Sequence, residues 1–208
     1  MKRVFFLDFD GTITKTDTCF LMVKTFAGEG WKEIDEMWER KEITTEECAS
    51  LTFKLFQADM DDVIKLIETV EIDESFPDFL QFCRKEGHAV YILSDGYDVI
   101  IETLFKKYGI ELPYYANRMI YQDGFEIDCP YLNPECGQCG TCKSSLMEKL
   151  KGDAEQVIYI GDGASDTCPA SKADLVFAKD YLYQYCLEKG IPVVRFETFQ
   201  DIIEQIKE

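Results

Sequence analysis

Three short apolar runs, Val4-Phe5-Phe6-Leu7, Val90-Tyr91-Ile92-Leu93 and Val157-Ile158-Tyr159-Ile160, each break directly into small or acidic residues. The clusters that follow them are Asp8-Phe9-Asp10-Gly11-Thr12, Ser94-Asp95-Gly96 and Gly161-Asp162-Gly163. An unalternated apolar run of this length is the pattern of a strand covered on both faces, as in a parallel sheet. Residues 115–121, 175–178 and 193–196 read as further strands. Helical spacing separates most of them: Ile100, Ile101, Leu104, Phe105 and Tyr108 share one face, and Gly109 is placed to end that helix. Strands alternating with helices predict an α/β protein built on a doubly wound, Rossmann-like parallel sheet.

About 80 residues separate the first two strands, far more than one crossover helix needs, and they carry almost no strand signal. Ile34, Met37 and Trp38 lie on one helical face, Cys48, Leu51, Leu55 and Phe56 on another, and Val63, Ile64 and Ile67 on a third. Thr44-Thr45-Glu46-Glu47 offers a capping box for the second. The expectation is an inserted helical cap over residues 17–75. The catalytic core would then comprise 1–16 and 76–208, with hinges near 15–20 and 70–78.

Charge narrows the partners. Of 208 residues, 22 are basic and 40 acidic, a formal net charge of −18. Such a surface repels polyphosphate backbones and anionic lipid, which argues against nucleic acid and membrane partners. No apolar run approaches the roughly 20 residues that span a bilayer. Asp8 and Asp10 interrupt the leading apolar stretch too early for a secretion signal, so a cytoplasmic location is expected.

Ligands of open α/β sheets bind beyond the carboxyl ends of the strands, where the three polar clusters should converge. Asp8 and Asp10 flank Phe9 and would share a face if the strand continued. Asp162 and Asp166 add carboxylate oxygen from a neighbouring strand end, and clustered hard oxygens favour Mg²⁺. Ser94 offers a hydroxyl, and Lys143 begins a helix over residues 144–150, where an ammonium and a helix N-terminus could both face an anion. These parts suit phosphoryl transfer: a carboxylate nucleophile, a second carboxyl to move protons, a divalent metal and donors for phosphoryl oxygens.

In this ordered set, Asp8-Phe9-Asp10-Gly11-Thr12, then Ser94, Lys143, and Gly161-Asp162-Gly163-Ala164-Ser165-Asp166, the chain resembles the haloacid dehalogenase superfamily. The resemblance implies that Asp8 attacks phosphorus to form an aspartyl-phosphate, while Asp10 protonates the leaving alcohol and then activates water. It places Ser94, Asp95, Lys143, Gly11 and Thr12 at the phosphoryl group. It also implies Mg²⁺ held by Asp8, the Asp10 carbonyl and Asp162, with Asp166 helping through water or through Lys143. Within the superfamily the chain is similar to the phosphoserine phosphatase-like group. More narrowly it resembles the branch of 2-hydroxy-3-keto-5-methylthiopentenyl-1-phosphate phosphatases and phosphoethanolamine/phosphocholine phosphatases. Ser94-Asp95-Gly96, Asn117-Arg118 and the run Cys136-Gly137-Gln138-Cys139-Gly140-Thr141-Cys142-Lys143 carry that likeness. Phosphoserine phosphatases usually show Ser-Gly-Gly at the second motif, so Asp95 weighs against phosphoserine. The implied partner is a small phosphorylated metabolite. The sequence does not specify an oligomeric state.

Of nine cysteines, Cys129, Cys136, Cys139 and Cys142 fall within a loop at 129–142. The readings that stay open for them are a structural Zn²⁺ site of four thiolates, reduced, unliganded thiols, and a disulfide or iron–sulfur centre. Two functions of other classes accompany the phosphatase: a metal or redox sensor using that loop, and a receiver-like domain accepting phosphate on aspartate. The 80-residue insertion after the first strand opposes the receiver, and the full set of catalytic side chains opposes the sensor. Gly161-Asp162-Gly163 lacks the third glycine of a dinucleotide loop. His88, the sole histidine, precedes a strand and reads as a surface or strand-edge residue.

Overall fold

The computed structural model describes residues 1–207. Seven strands form one sheet: β1 (Arg3–Leu7), β2 (Ala89–Tyr97), β3 (Tyr114–Tyr121), β4 (Phe125–Asp128), β5 (Gln156–Gly161), β6 (Leu175–Ala178) and β7 (Val193–Arg195). Their order is β4-β3-β2-β1-β5-β6-β7. Every neighbouring pair is parallel except β3 and β4. The chain leaves β1 toward β2 on one side and returns to β5 on the other, so β1 is the switch point where such sheets open a crevice. Leu7 lies opposite both Ile92 and Ile160, which sets the ends of β1, β2 and β5 side by side.

Strand alternation splits the core in two. Phe5, Leu7, Ile158 and Ile160 point into one apolar cluster, Val4, Phe6 and Tyr159 into the other. The first is covered by α5 (Phe76–Glu86), α6 (Asp98–Tyr108) and α10 (Phe199–Lys207), through residues such as Phe79, Leu104 and Ile202. The second is covered by α7 (Lys143–Leu150), α8 (Thr167–Ala170) and α9 (Asp180–Lys189), through Leu146, Ala170 and Leu182. Helices on both faces make the sheet doubly wound, the expected class. No helix among the described residues is long and apolar enough to cross a membrane.

Between β1 and β2 stand α1 (Thr18–Phe26), α2 (Trp31–Glu39), α3 (Thr45–Phe53) and α4 (Met60–Glu68). The Thr44–Glu47 capping box forms at α3: Thr44 Oγ1 accepts from the Glu47 N–H at 3.2 Å, and Glu47 Oε2 from the Thr44 N–H at 2.8 Å. The two connections to the sheet run together. Thr14 and Ile72 form an antiparallel bridge, and the Lys15 N–H donates to the Glu71 carbonyl at 2.9 Å. Met22, Phe53, Val63 and Ile67 belong to the same apolar cluster as the sheet face, so these helices have no separate core.

Three details depart from the sequence pattern. Residues 18–20, inside the expected hinge, open α1, which Asp17 caps by accepting from the Phe20 N–H. The near-continuous apolar run of 19–23 hides any stripe there. β2 does not stop at Leu93 but continues to Tyr97, with a register shift against β3 between Leu93 and Tyr97, so Ser94 and Asp95 sit within the strand. Finally, β4 completes a hairpin after Asp123-Gly124, and Phe125 and Ile127 pack on the first cluster. Four residues give too short a period to read.

Candidate active site

Asp8 is the first residue past β1, 6% exposed, with its N–H donating to the Ile160 carbonyl at 2.9 Å. Lys143 opens α7 and is 3% exposed. Its Nζ lies 2.7 Å from Asp8 Oδ1, 2.7 Å from Asp166 Oδ1 and 3.2 Å from Ser165 Oγ. Asp166 is wholly buried and spends its acceptors on protein donors. Tyr159 Oη donates to Oδ1 at 2.5 Å, and the Asp162 and Gly163 N–H groups donate to Oδ2 at 3.0 Å each. Thr12 Oγ1 donates to Asp162 Oδ1 at 2.5 Å.

The electrostatics of this cluster are unbalanced. Burial and the Asp166 carboxylate push the Asp8 carboxyl well up, against the pull of Lys143. Burial and Asp166 also raise Asp162, to about 6, opposed by the Thr12 hydroxyl and Lys143. Burial pulls Lys143 down, but Asp166 and Asp8 outweigh it and hold the ammonium above its ordinary range. Oxygens of Asp8, Asp162 and Asp166 all lie within 4.8 Å of one another; the Lys143 ammonium pairs with Asp8 and Asp166, and Asp162 feels Lys143 and Lys179 without an ion pair to either. Buried charge in that ratio is costly unless another cation completes it, and an all-oxygen donor set fits a hard divalent ion.

Asp10 sits where the chain turns from β1 toward α1. The Thr18 N–H donates to its Oδ1 at 3.0 Å, and the Cys19 thiol approaches Oδ2 at 3.7 Å. Burial raises its pKa to about 7. Two glycines make the room this requires. Gly11 has φ +74°, and a Cβ there would fall 2.5 Å from Asp162 Oδ2; a Cβ at Gly96 would fall 2.5 Å from Asp10 Oδ2. Ser94, 1% exposed, accepts the Gly96 N–H at 3.0 Å.

The Asp95 carboxylate is fully engaged by protein. Its Oδ1 accepts from the Thr141 N–H at 2.8 Å and from Asn117 Nδ2 at 3.2 Å, and its Oδ2 from Thr45 Oγ1 at 3.1 Å. Burial raises its pKa, and those three donors with Lys143 oppose the rise.

The structure thus gathers Asp8, Asp10, Ser94, Asp95 and Asp162 on one cavity of about 460 Å³, with Lys143 and Asp166 beneath its floor. The outer wall comes from α1, α2 and α3, where Phe20, Trp31, Trp38 and Phe53 meet the acids Asp17, Asp35 and Glu39. Among the described residues, no lysine, arginine or histidine lines it. His88 is remote, half-buried between Phe5 and Phe82.

The cysteine loop reads differently in three dimensions. Cys136, Cys139 and Cys142 share a second pocket of about 490 Å³ with Cys168, which lies far from them in sequence, and Cys129 is not on it. Burial and the carboxylates of Glu46, Asp95 and Asp128 push the Cys129 thiol up to about 12. Among the described residues, the groups of three metal-ligating side chains within 4.8 Å are Asp8/Asp162/Asp166 and Asp10/Asp17/Cys19, so the sulfurs of the loop do not converge on a Zn²⁺ geometry.

The pattern of the chain did not single out Tyr159, Thr141 or Thr45. Tyr159 had a signal, a hydroxyl in an otherwise aliphatic strand that needs a buried partner. Thr45 and Thr141 are ordinary loop and helix-start residues whose partners only the fold supplies.

The chain as a whole matches known phosphatases. Residues 3–196 match the family described as "Putative Phosphatase". A 2-hydroxy-3-keto-5-methylthiopentenyl-1-phosphate phosphatase of Lysinibacillus sphaericus is 35% identical over 218 residues, covering 100% of this chain and 95% of that protein. One from Bacillus cereus strain B4264 is 35% identical over 207 residues, covering 97% and 94%. Among solved structures, a substrate-bound phosphoserine phosphatase superposes with a TM-score of 0.74 at 21% identity, covering 99% of this chain and 98% of that one. A phosphoserine phosphatase structure of a phospho-aspartyl intermediate analogue gives 0.73 at 22%, covering 98% of both chains.

Proposed function

Because the chain belongs to this phosphatase family, within the haloacid dehalogenase superfamily, we propose that it is a Mg²⁺-dependent phosphomonoesterase working through an aspartyl-phosphate on Asp8. Family membership makes it a phosphatase of the haloacid dehalogenase type, which decides against the sensor and receiver readings. The observation that carries the mechanism is the Lys143 ammonium held 2.7 Å from both Asp8 and Asp166 at the mouth of the sheet.

In this reading an oxygen of Asp8 attacks phosphorus, the bond to the leaving alcohol breaks, and Asp10 gives that alcohol its proton. Asp10 then takes a proton from water, whose oxygen attacks the phosphorus and releases Asp8 with inorganic phosphate. Its place on the turn, pinned by the Thr18 N–H and facing Gly96, suits a carboxyl that serves twice. Lys143 holds Asp8 in line and neutralises phosphoryl oxygen, with Ser94 and the main chain at Gly11 and Thr12 as further donors. Asp95 would contribute through its main-chain N–H, since its carboxylate is occupied. Asp8, the Asp10 carbonyl and Asp162 would hold the metal, and Asp166 would support them through Lys143. Bound there, Mg²⁺ supplies positive charge for the phosphoryl oxygens and lets Asp8 stay ionised.

For the leaving group, we propose that α1–α4 act as the cap that excludes water. Their wall, aromatic with three acids and no base to meet a carboxylate, favours a leaving group without a carboxylate, such as the metabolite the relatives are named for, over phosphoserine. Nine unpaired thiols fit a reducing cytoplasm.

The test is hydrolysis of an aryl phosphate. Asp8→Asn is expected to lower kcat by about a thousandfold or more while the fold persists, the scale lost with a covalent nucleophile. Chelation of divalent metal should silence the wild type reversibly. Undiminished turnover by Asp8→Asn would refute the mechanism, and a panel of phosphorylated metabolites ranked by kcat/KM would identify the substrate.

A further inference from the structure

Asp95 joins three parts of the molecule that are distant in sequence. It lies on β2 directly after Ser94. Its Oδ1 accepts from the Thr141 N–H at 2.8 Å, two residues before Lys143, and its Oδ2 accepts from Thr45 Oγ1 at 3.1 Å, on the first turn of α3. The same Thr45 hydroxyl accepts from Trp38 Nε1 of α2 at 3.1 Å.

A second set of bonds reinforces the link from the other side. The Thr45 N–H donates to the Gln138 carbonyl at 3.0 Å, and Gln138 Nε2 donates to the Ile43 carbonyl at 2.9 Å, so the cysteine loop is stapled to the start of α3. Asn117 closes the frame. Its Nδ2 donates to the Asp95 carbonyl at 2.7 Å, and its Oδ1 accepts from Thr141 Oγ1 at 3.1 Å. The fit is tight, since a Cβ at Gly140 would fall 2.5 Å from Asn117 Oδ1.

We infer that Asp95 is a positioning residue: its two carboxylate oxygens fix the segment leading into Lys143 and the first turn of α3 against β2, so that seating of the cap and placement of the lysine are set by one side chain. A carboxylate suits that task because each oxygen accepts from a different segment and the bonds are charge-assisted. A glycine there would leave the cap and the lysine loop joined through Gln138 but neither of them tied by a side-chain hydrogen bond to β2. This role rests on the reading of Lys143 as the phosphoryl-binding lysine.

Trp38 provides a readout that is independent of turnover. The chain has two tryptophans, so in a Trp31→Phe background the emission reports Trp38 alone. Asp95 is bonded to Thr45, and Trp38 meets that network only through the Thr45 hydroxyl. Asp95→Ala is expected to move Trp38 emission to longer wavelength and to lower kcat/KM about ten- to a hundredfold, the scale of a lost charge-assisted hydrogen bond. Thr45→Val should lower kcat/KM about tenfold, Thr45→Ser should restore it, and Asp95→Ala with Thr45→Val should lose no more than Asp95→Ala alone. Unmoved Trp38 emission in Asp95→Ala, or losses that multiply in the double variant, would overturn the inference. Should Asp95→Ala not fold, Thr45→Val with wild-type kcat/KM does the same. A wild type inert toward aryl phosphates would instead count against the proposed function, and the emission shift would still decide whether Asp95 positions α3.

Discussion

At the scale of single residues the site is governed by how one ammonium is shared. Lys143 touches Asp8 and Asp166, both nearly free of solvent, so its removal leaves two buried carboxyls facing each other. Lys143→Met is expected to cost about 3–5 kcal/mol of unfolding free energy, as when one partner of a buried pair is deleted. Urea unfolding without divalent metal would measure it, and excess Mg²⁺ should shrink the loss. The carboxylates and the lysine were legible in the sequence because each ends an apolar run or begins a helix. Their supports were harder to read: Tyr159 shows only as a hydroxyl in an aliphatic strand, and nothing local distinguishes Thr141 and Thr45, whose N–H and hydroxyl groups find their partners far along the chain.

At the scale of elements, helix ends carry most of the local information. The Thr44–Glu47 box was readable because its bonds span only three residues. α10 is fixed in a similar way, with Asp201 Oδ2 accepting from the Glu197 and Thr198 N–H groups at 2.9 and 2.8 Å. Those backbone donors lower the Asp201 pKa. A carboxyl lowered in the folded state adds stability above its unfolded value, near 4, and loses it as pH falls through the folded one. Asp201→Ala is therefore expected to cost about 1 kcal/mol at pH 7, the value of a cap, and the gap to wild type should narrow below pH 4 in urea titrations. Elements without such signals escaped: α1 is apolar on too many sides to show a stripe, and β4 is too short to show a period.

For the whole molecule, the apolar cluster is the decisive feature. It runs from Phe5 and Leu7 in the sheet to Met22, Phe53 and Val63 in the inserted helices without a polar seam. Calorimetry should therefore give one transition with matching calorimetric and van't Hoff enthalpies, and two resolved transitions would show that the insertion folds apart. The sequence by itself determined the class of fold and which strand ends carry the candidate acids, because burial on two faces, helical spacing and strand-end acids are local patterns. Only the tertiary structure decided that Cys168 and not Cys129 shares the pocket of the cysteine loop, that Asp166 is locked by Tyr159 and Lys143, and that Asp95 binds the insertion to the lysine segment. These contacts span from 7 to 50 residues of chain, and such pairings follow from the sheet order and the packing of helices on it, which no window of sequence contains.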